Sequence, residues 1–182
     1  MRCFGEGDEL YARYHDEEWG RPVRTQQGLF ERICLEGFQA GLAWITVLRK
    51  REALREVLHG FDPVAVAAMD VTPLLEDARL IRSRAKLAAC VTNARATLAL
   101  EDDLVDLVWQ HRSDGPAPTS WSDVPGSTPA SVALAKDLKR RGFVFVGPTT
   151  AYAMLQACGV VNDHLAACPV RDDVEAARAS LS

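Results

Sequence analysis

Cys3, His15, His164 and Cys168 are the residue types that ligate a soft divalent metal, and His164 and Cys168 are spaced i and i+4. On a helical turn that spacing puts both side chains on one face, with Cys3 and His15 left to complete a shell from the N-terminal segment. Two Cys and two His close a tetrahedron around zinc and leave no position for a reacting water, which is structural and not catalytic zinc chemistry. The spacing matches no zinc-finger pattern, so an ordinary Cys/His distribution remains open. Glu36 is the second candidate. It ends an apolar helical pattern (Phe30, Ile33, Cys34) just before Gly37, with Trp44 beyond the break Gln39-Ala40-Gly41 and then Arg49, Lys50 and Arg51. A carboxylate and an indole beside a kink suit a pocket; a solvated helix-end acid and a core Trp are the plainer alternative. Tyr11, Tyr14 and Trp19 flank His15. They are either helix packing or an aromatic wall oriented by the metal.

The elements that must position these residues read as helices. Phe30 to Glu36 forms one, and Trp44, Val47, Leu48, Leu54, Val57 and Leu58 give the apolar face of the next. Asp62-Pro63, Thr72-Pro73 and Thr128-Pro129 are cap-then-proline helix starts. Ser83 is placed to cap a helix to about Leu100, and shorter helices cover Leu104 to Gln110, Ser131 to Arg141 and Pro148 to Cys158. Ser113 to Gly126, rich in Pro and Gly, is the one long loop. The alanine-rich tail from Asp172 reads as a frayed or appended helix. Leu74 to Ala89 runs from a short apolar helix through a turn at Leu80–Ser83 into a basic helix start. That arrangement can hold a phosphate near Arg82, Arg84 and Lys86, although an ordinary helical hairpin fits as well.

Composition sets the class. The 182 residues make one domain, or two small lobes sharing a core, and 48% hydrophobic with 25% charged residues is ordinary for a globular protein. No apolar run is long enough to span a membrane and no signal peptide opens the chain, so the expected location is cytoplasmic. A net charge of −4 excludes a broad electrostatic footprint for nucleic acid but allows a confined one. Five cysteines, an odd number, argue against a disulfide framework; Cys34, Cys90 and Cys158 fall in apolar helical patterns as core residues.

Taken together, LYARYHDEEWG, ICLEGFQAGLAWITVLRKRE, FDPVAVAAM, NARA, LKRRGFVFVGPTT and QACGVVNDHLAAC resemble the constitutive bacterial 3-methyladenine DNA glycosylase I family. The resemblance runs in order from Cys3 to Cys168. It implies an all-α, helix–hairpin–helix glycosylase-like fold in which one structural Zn2+ on Cys3, His15, His164 and Cys168 clips the N- and C-terminal segments together. Residues 1–182 would form a single glycosylase domain, with 171–182 a tail outside the family. It further implies a base pocket of Glu36, Tyr14 and Trp44 with Tyr11 and Trp19 nearby, Glu36 being the catalytic residue. Gln39 and Leu42 would probe the gap left by a flipped nucleotide. The implied activity is hydrolytic release of 3-methyladenine from alkylated double-stranded DNA, without strand cleavage, by a monomer. One departure is that the family's early Trp after the first Cys is replaced by Phe4 or Gly5, in a loop one residue shorter.

These residue types suit that reaction. An N3-methylated adenine is cationic while joined to the sugar and neutral once released, so the leaving group is already activated. Aromatic faces attract such a cation by roughly 0.5–2 kcal/mol per contact, and an ionised Glu36 adds opposite charge and stronger acceptors than Gln. The superfamily's usual catalytic aspartate has no assigned counterpart; Asp114 and Asp123 are available in the long loop. A non-catalytic DNA-binding module and a zinc hydrolase are the rival readings. Intact Glu36, Tyr14 and Trp44 weigh against the first, and a full set of four metal ligands against the second.

Overall fold

The computed structural model describes residues 1–181, and among them the chain is all-α, with no strand. The organising element is helix α2 (Gln26–Gln39). Thr25 caps it by accepting from Gly28 N, and Leu29, Phe30 and every residue from Arg32 to Phe38 are buried. A helix apolar on nearly all sides belongs in the middle. One flank, with Phe30, Cys34, Leu35 and Phe38, packs into a cluster with Leu48, Leu54, Phe61 and Leu87. The other, with Leu29 and Ile33, packs into a second cluster with Leu104, Leu134, Tyr152 and Leu155.

Around α2 lie α1 (Glu9–Glu17), α3 (Trp44–Val57), α4 (Pro63–Ala67), α5 (Arg84–Leu98), α6 (Leu104–Trp109), α7 (Pro129–Arg140), α8 (Pro148–Ala157) and α9 (Arg171–Ala179). Single 3-10 turns span His59–Phe61, Pro73–Glu76 and Trp121–Asp123, the last inside the long loop. Asp62 and Thr128 cap their helices as the sequence indicates. Thr72 does not, because Asp70 accepts from Thr72 N and makes the turn. Ser83 holds the N-cap position of α5 without a side-chain bond. The hairpin before α5 therefore opens on a 3-10 turn where a short helix was expected. Lys86 is not free for a phosphate there: its ammonium caps the C-terminal end of α2, donating to Phe38 O at 2.8 Å and Ala40 O at 2.5 Å.

Asn93 grips the segment that leads into α8. Its side chain donates to Val144 O and accepts from Val144 N at 3.1 and 2.8 Å, which lets Phe145 hold φ +57° beside Gly37. That fixes where α8 begins, next to the C-terminal end of α2.

The C-terminal helix is docked, not frayed. Val174 is fully buried and Arg178 is 1% exposed. The Arg178 guanidinium donates to Gly159 O, Val160 O and Ser113 O and pairs with Glu175 and Asp114. Gly159 has φ +72°, and a Cβ there would stand 2.4 Å from Gly20 O, so the backbone itself is in close contact at this junction. Arg178→Ala is expected to lower the unfolding free energy in urea by about 3 kcal/mol, since it leaves buried carbonyls and a carboxylate unpaired. A loss below about 0.5 kcal/mol would show that α9 adds nothing to the fold.

Candidate active site

Glu36 lies one turn from the C-terminal end of the central helix, and this position decides its state. Its residue is 4% exposed, so the solvated helix-end alternative is excluded. Burial pushes its carboxyl up to about 8, with Arg32 opposing. The carboxyl borders a cavity of about 270 Å³ that is also lined by Phe4, Tyr11, Tyr14, Trp19, Gln39, Trp44, Trp121, Ala153 and Gln156. Every pocket residue picked from the sequence is therefore present on one cavity. Among its described lining residues Glu36 is the one carboxylate, and there is no lysine.

The aromatic rings form one continuous cluster. Tyr14 and Trp44 have centroids 5.3 Å apart; Phe4 lies 4.8 Å from Tyr11 and 5.0 Å from Trp19. Behind Tyr14, the guanidinium carbons of Arg32 and Arg51 sit 5.8 and 6.0 Å from its ring. Both cations pair with Glu18, Arg51 through two bonds of 2.6 and 2.8 Å and Arg32 through one of 3.3 Å. Arg51 is thus an interior residue and not part of a surface basic cluster. Trp44 Nε1 and Arg32 Nη1 are buried without a hydrogen-bond partner among the described residues, while Arg51 Nε lies 3.6 Å from Glu52 Oε1. Unpaired buried donors are rare, and these two lie on side chains that pack against Tyr14.

Gln39 and Leu42 stand at the rim. Gly41 takes φ +77° with open space around it, and Leu42 is 38% exposed although it is a large apolar side chain. Glu36 and this tip also border a second cavity of about 240 Å³ with Thr149, Thr150 and Ala153 at the start of α8. Sequence reasoning did not find Trp121, Ala153 or Gln156. The i, i+3 spacing of Ala153 and Gln156 on α8 was a usable signal; for Trp121 the signal was a lone Trp in a loop of Pro and Ser. Asp114 and Asp123 are both occupied structurally, Asp114 by Arg178 and Asp123 by Thr119 and Ser120.

The four Cys and His residues converge. Cys3, His15, His164 and Cys168 are all buried, with their ligand atoms within 4.8 Å of one another. His164 Nδ1 is 3.6 Å from Cys3 Sγ and 3.3 Å from Cys168 Sγ, and His15 Nε2 is 3.5 Å from Cys168 Sγ. Tetrahedral zinc with ordinary Zn–S and Zn–N bonds requires S···N edges of about 3.6 Å, so the set fits. Each outer ring nitrogen is also engaged: His15 Nδ1 meets Asp16 at 2.8 Å and His164 Nε2 meets Trp19 O at 3.0 Å. Burial moves the Cys3 thiol up to about 12 and His164 down to about 4. His164 is thereby kept neutral, as a ligand must be, and a cation would reverse the effect on the thiol. One detail differs from the sequence reading. His164 and Cys168 lie on a turn closed by Cys168 N donating to Leu165 O, not on a helix, because Pro169 disfavours helical backbone at Cys168. The same cluster orients the wall, since Trp19 lies 4.5 Å from the His164 ring and Phe4 4.8 Å from the His15 ring.

The raised Glu36 carboxyl has a measurable consequence. A folded-state value near 8 means that the native protein retains a proton that the unfolded chain releases above about pH 4.3. Stability from this group is full below that point and is lost as pH rises through about 8. Glu36→Gln has no proton to lose, so it is expected to exceed the parent by on the order of a few kcal/mol at about pH 9, the advantage vanishing near pH 4. Urea denaturation across that range measures it; a gap that does not change with pH would contradict a buried, neutral Glu36.

Comparison with known proteins agrees with this geometry. The methyladenine glycosylase family profile matches residues 4–172. The chain is 53% identical over 170 residues to DNA-3-methyladenine glycosylase 1 of Escherichia coli K12, covering 88% of this chain and 91% of that protein. A crystal structure of a 3-methyladenine DNA glycosylase I superposes with a TM-score of 0.89 at 50% identity, covering 93% of this chain and 98% of the other. The Staphylococcus aureus 3-methyladenine DNA glycosylase I, solved to explain its recognition of 3-methyladenine, superposes at 0.87 with 34% identity over 93% and 95% of the two chains. The chain belongs to the methyladenine glycosylase family.

Proposed function

We propose that this protein is a DNA-3-methyladenine glycosylase of base-excision repair. It extrudes an alkylated nucleotide from double-stranded DNA and releases 3-methyladenine by hydrolysis. The observation that carries this reading is one buried carboxyl facing a cluster of aromatic rings, in a chain whose relatives are glycosylases for that base. The base enters the cavity between Glu36, Tyr14 and Trp44, with Tyr11 and Trp19 completing the walls, while Leu42 and Gln39 at the exposed tip fill the gap it leaves. The positive base favours ionisation of Glu36, whose carboxylate accepts hydrogen bonds from the adenine edge and opposes the charge on the developing sugar cation. The N-glycosidic bond breaks with its electron pair going to the base, which becomes neutral. Water then bonds to the sugar carbon and loses a proton to solvent. Ordinary adenine, neutral and a poor leaving group, gains none of the charge complementarity.

No lysine lines the cavity, and Lys50 and Lys86 are bonded to backbone carbonyls, so no Schiff base forms and the strand is left uncut. One structural zinc sits on Cys3, His15, His164 and Cys168, supplying a rigid tie and no reactive water. The protein acts as a cytoplasmic monomer, with residues 1–182 as one glycosylase domain and the segment from 171 as an addition to the family fold.

Two experiments test this. Glu36→Gln keeps the shape but replaces an anionic acceptor, so affinity for free 3-methyladenine should fall by about 10- to 150-fold, the equivalent of 1.5–3 kcal/mol. Its release from methylated DNA should fall too, while binding to abasic DNA changes little. A variant that binds and excises like the parent removes Glu36 from the site. For the metal, purified protein should hold about one zinc per chain. Cys168→Ser should lower the Tm more than it lowers the rate of the protein that stays folded. Absence of zinc after chelator-free purification would reject the clip.

A further inference from the structure

The long loop before α7 delivers one side chain that the reading above leaves without a part. Trp121 opens the 3-10 turn Trp121–Asp123 and is 42% exposed, unusual for the largest apolar side chain. It is nevertheless held. Its indole N–H donates to Cys3 O at 2.6 Å, and the turn is fastened from below by Asp123, which accepts from Thr119 N, Thr119 Oγ1 and Ser120 N. Its ring lies 6.2 Å from Trp19 and 6.3 Å from Phe4, on the cavity that Glu36 borders. An indole pinned through its only polar atom, with part of its ring left open on a ligand cavity, is a surface built to meet something flat and apolar.

We infer that Trp121 is a specificity-determining wall of the base pocket, closing the side lined by Phe4 and Trp19 and limiting the bulk of the alkylated purine admitted. This rests on the glycosylase reading, and it adds to that reading a residue outside the motifs that carry the family resemblance. The bond to Cys3 couples the wall to the metal clip, so the loop cannot swing away while the clip is closed. Trp121 is not needed for bond cleavage itself; it sets which bases fit.

The test uses the full-length protein, with Trp121→Ala to remove the wall and Trp121→Phe to keep a ring without the N–H. Calorimetry reads the affinity for free 3-methyladenine, and base release is compared for DNA carrying 3-methyladenine and 3-ethyladenine. Trp121→Ala should weaken free-base binding about tenfold, as expected for a lost aromatic contact, and should raise 3-ethyl release relative to 3-methyl release severalfold. Trp121→Phe should stay within about threefold of the parent on both, a change of less than 1 kcal/mol. An Ala variant with parental affinity and an unchanged release ratio overturns the inference. So do equal losses in Ala and Phe, which would assign Trp121 to the Cys3 tie alone. If the Ala variant fails to fold, Trp121→Leu is judged by the same criteria. A parent that itself does not bind 3-methyladenine rejects the glycosylase reading and is thereby told apart from failure of the wall.

Discussion

A carboxyl that must be dry before its ligand arrives is the constraint on which the rest of this structure depends. Glu36 is buried because α2 runs through the middle of the molecule, with a hydrophobic cluster on each flank. A lone ionised carboxylate there would be strongly unfavourable, and the protein answers by letting the group hold its proton. The cations nearby are kept from pairing with it outright. Arg32 and Arg51 are both drawn to Glu18, and Arg51 also lies 3.6 Å from Glu52, so these cations are paired outside the pocket and Glu36 is left without a direct ion pair. Tyr14 touches both sets, with the two guanidinium carbons 5.8 and 6.0 Å from its ring and Trp44 5.3 Å away.

On the function proposed above, that arrangement lets neutral surroundings select a charged base. Nothing in the empty cavity carries a permanent negative charge, so the favourable charge pair comes into being only when a cationic base enters. Arg171 donates to the backbone oxygens of Asn162 and His164, so the first residue of α9, still within the family match, braces the segment that carries His164 and Cys168.

The fold class and nearly every helix were legible in the sequence because apolar periodicity, proline starts and acidic caps all agree here. That Glu36, Tyr14 and Trp44 belong to one cavity, and that Cys3, His15, His164 and Cys168 belong together, was legible too, the first mainly through the family motifs and the second through residue type. Features that rest on distant pairings were not. Arg178 looks like a solvated charge in an alanine-rich tail, and only the tertiary structure brings three carbonyls around it. Lys86 reads as a phosphate ligand until α2 ends against it. Trp121 sits in a stretch with no periodicity at all, so no local pattern could assign it a side. The turn at His164–Cys168 was misread as helix because i, i+4 spacing is equally available to a tight turn when a proline follows.

The cluster of Cys3, His15, His164 and Cys168 also dictates an order of events during synthesis. Cys3 and His164 are 161 residues apart, and at about 5–20 residues per second roughly 8–32 s separate their appearance on the ribosome. Tyr14, Trp19, Glu36 and Trp44 all emerge in the early part of that interval, while Trp19 packs against a histidine ring, that of His164, made near its end. For that time Cys3 waits for the three residues that surround it in the folded chain to be completed by the last two. The Trp19 side of the pocket is therefore translated early and packed late.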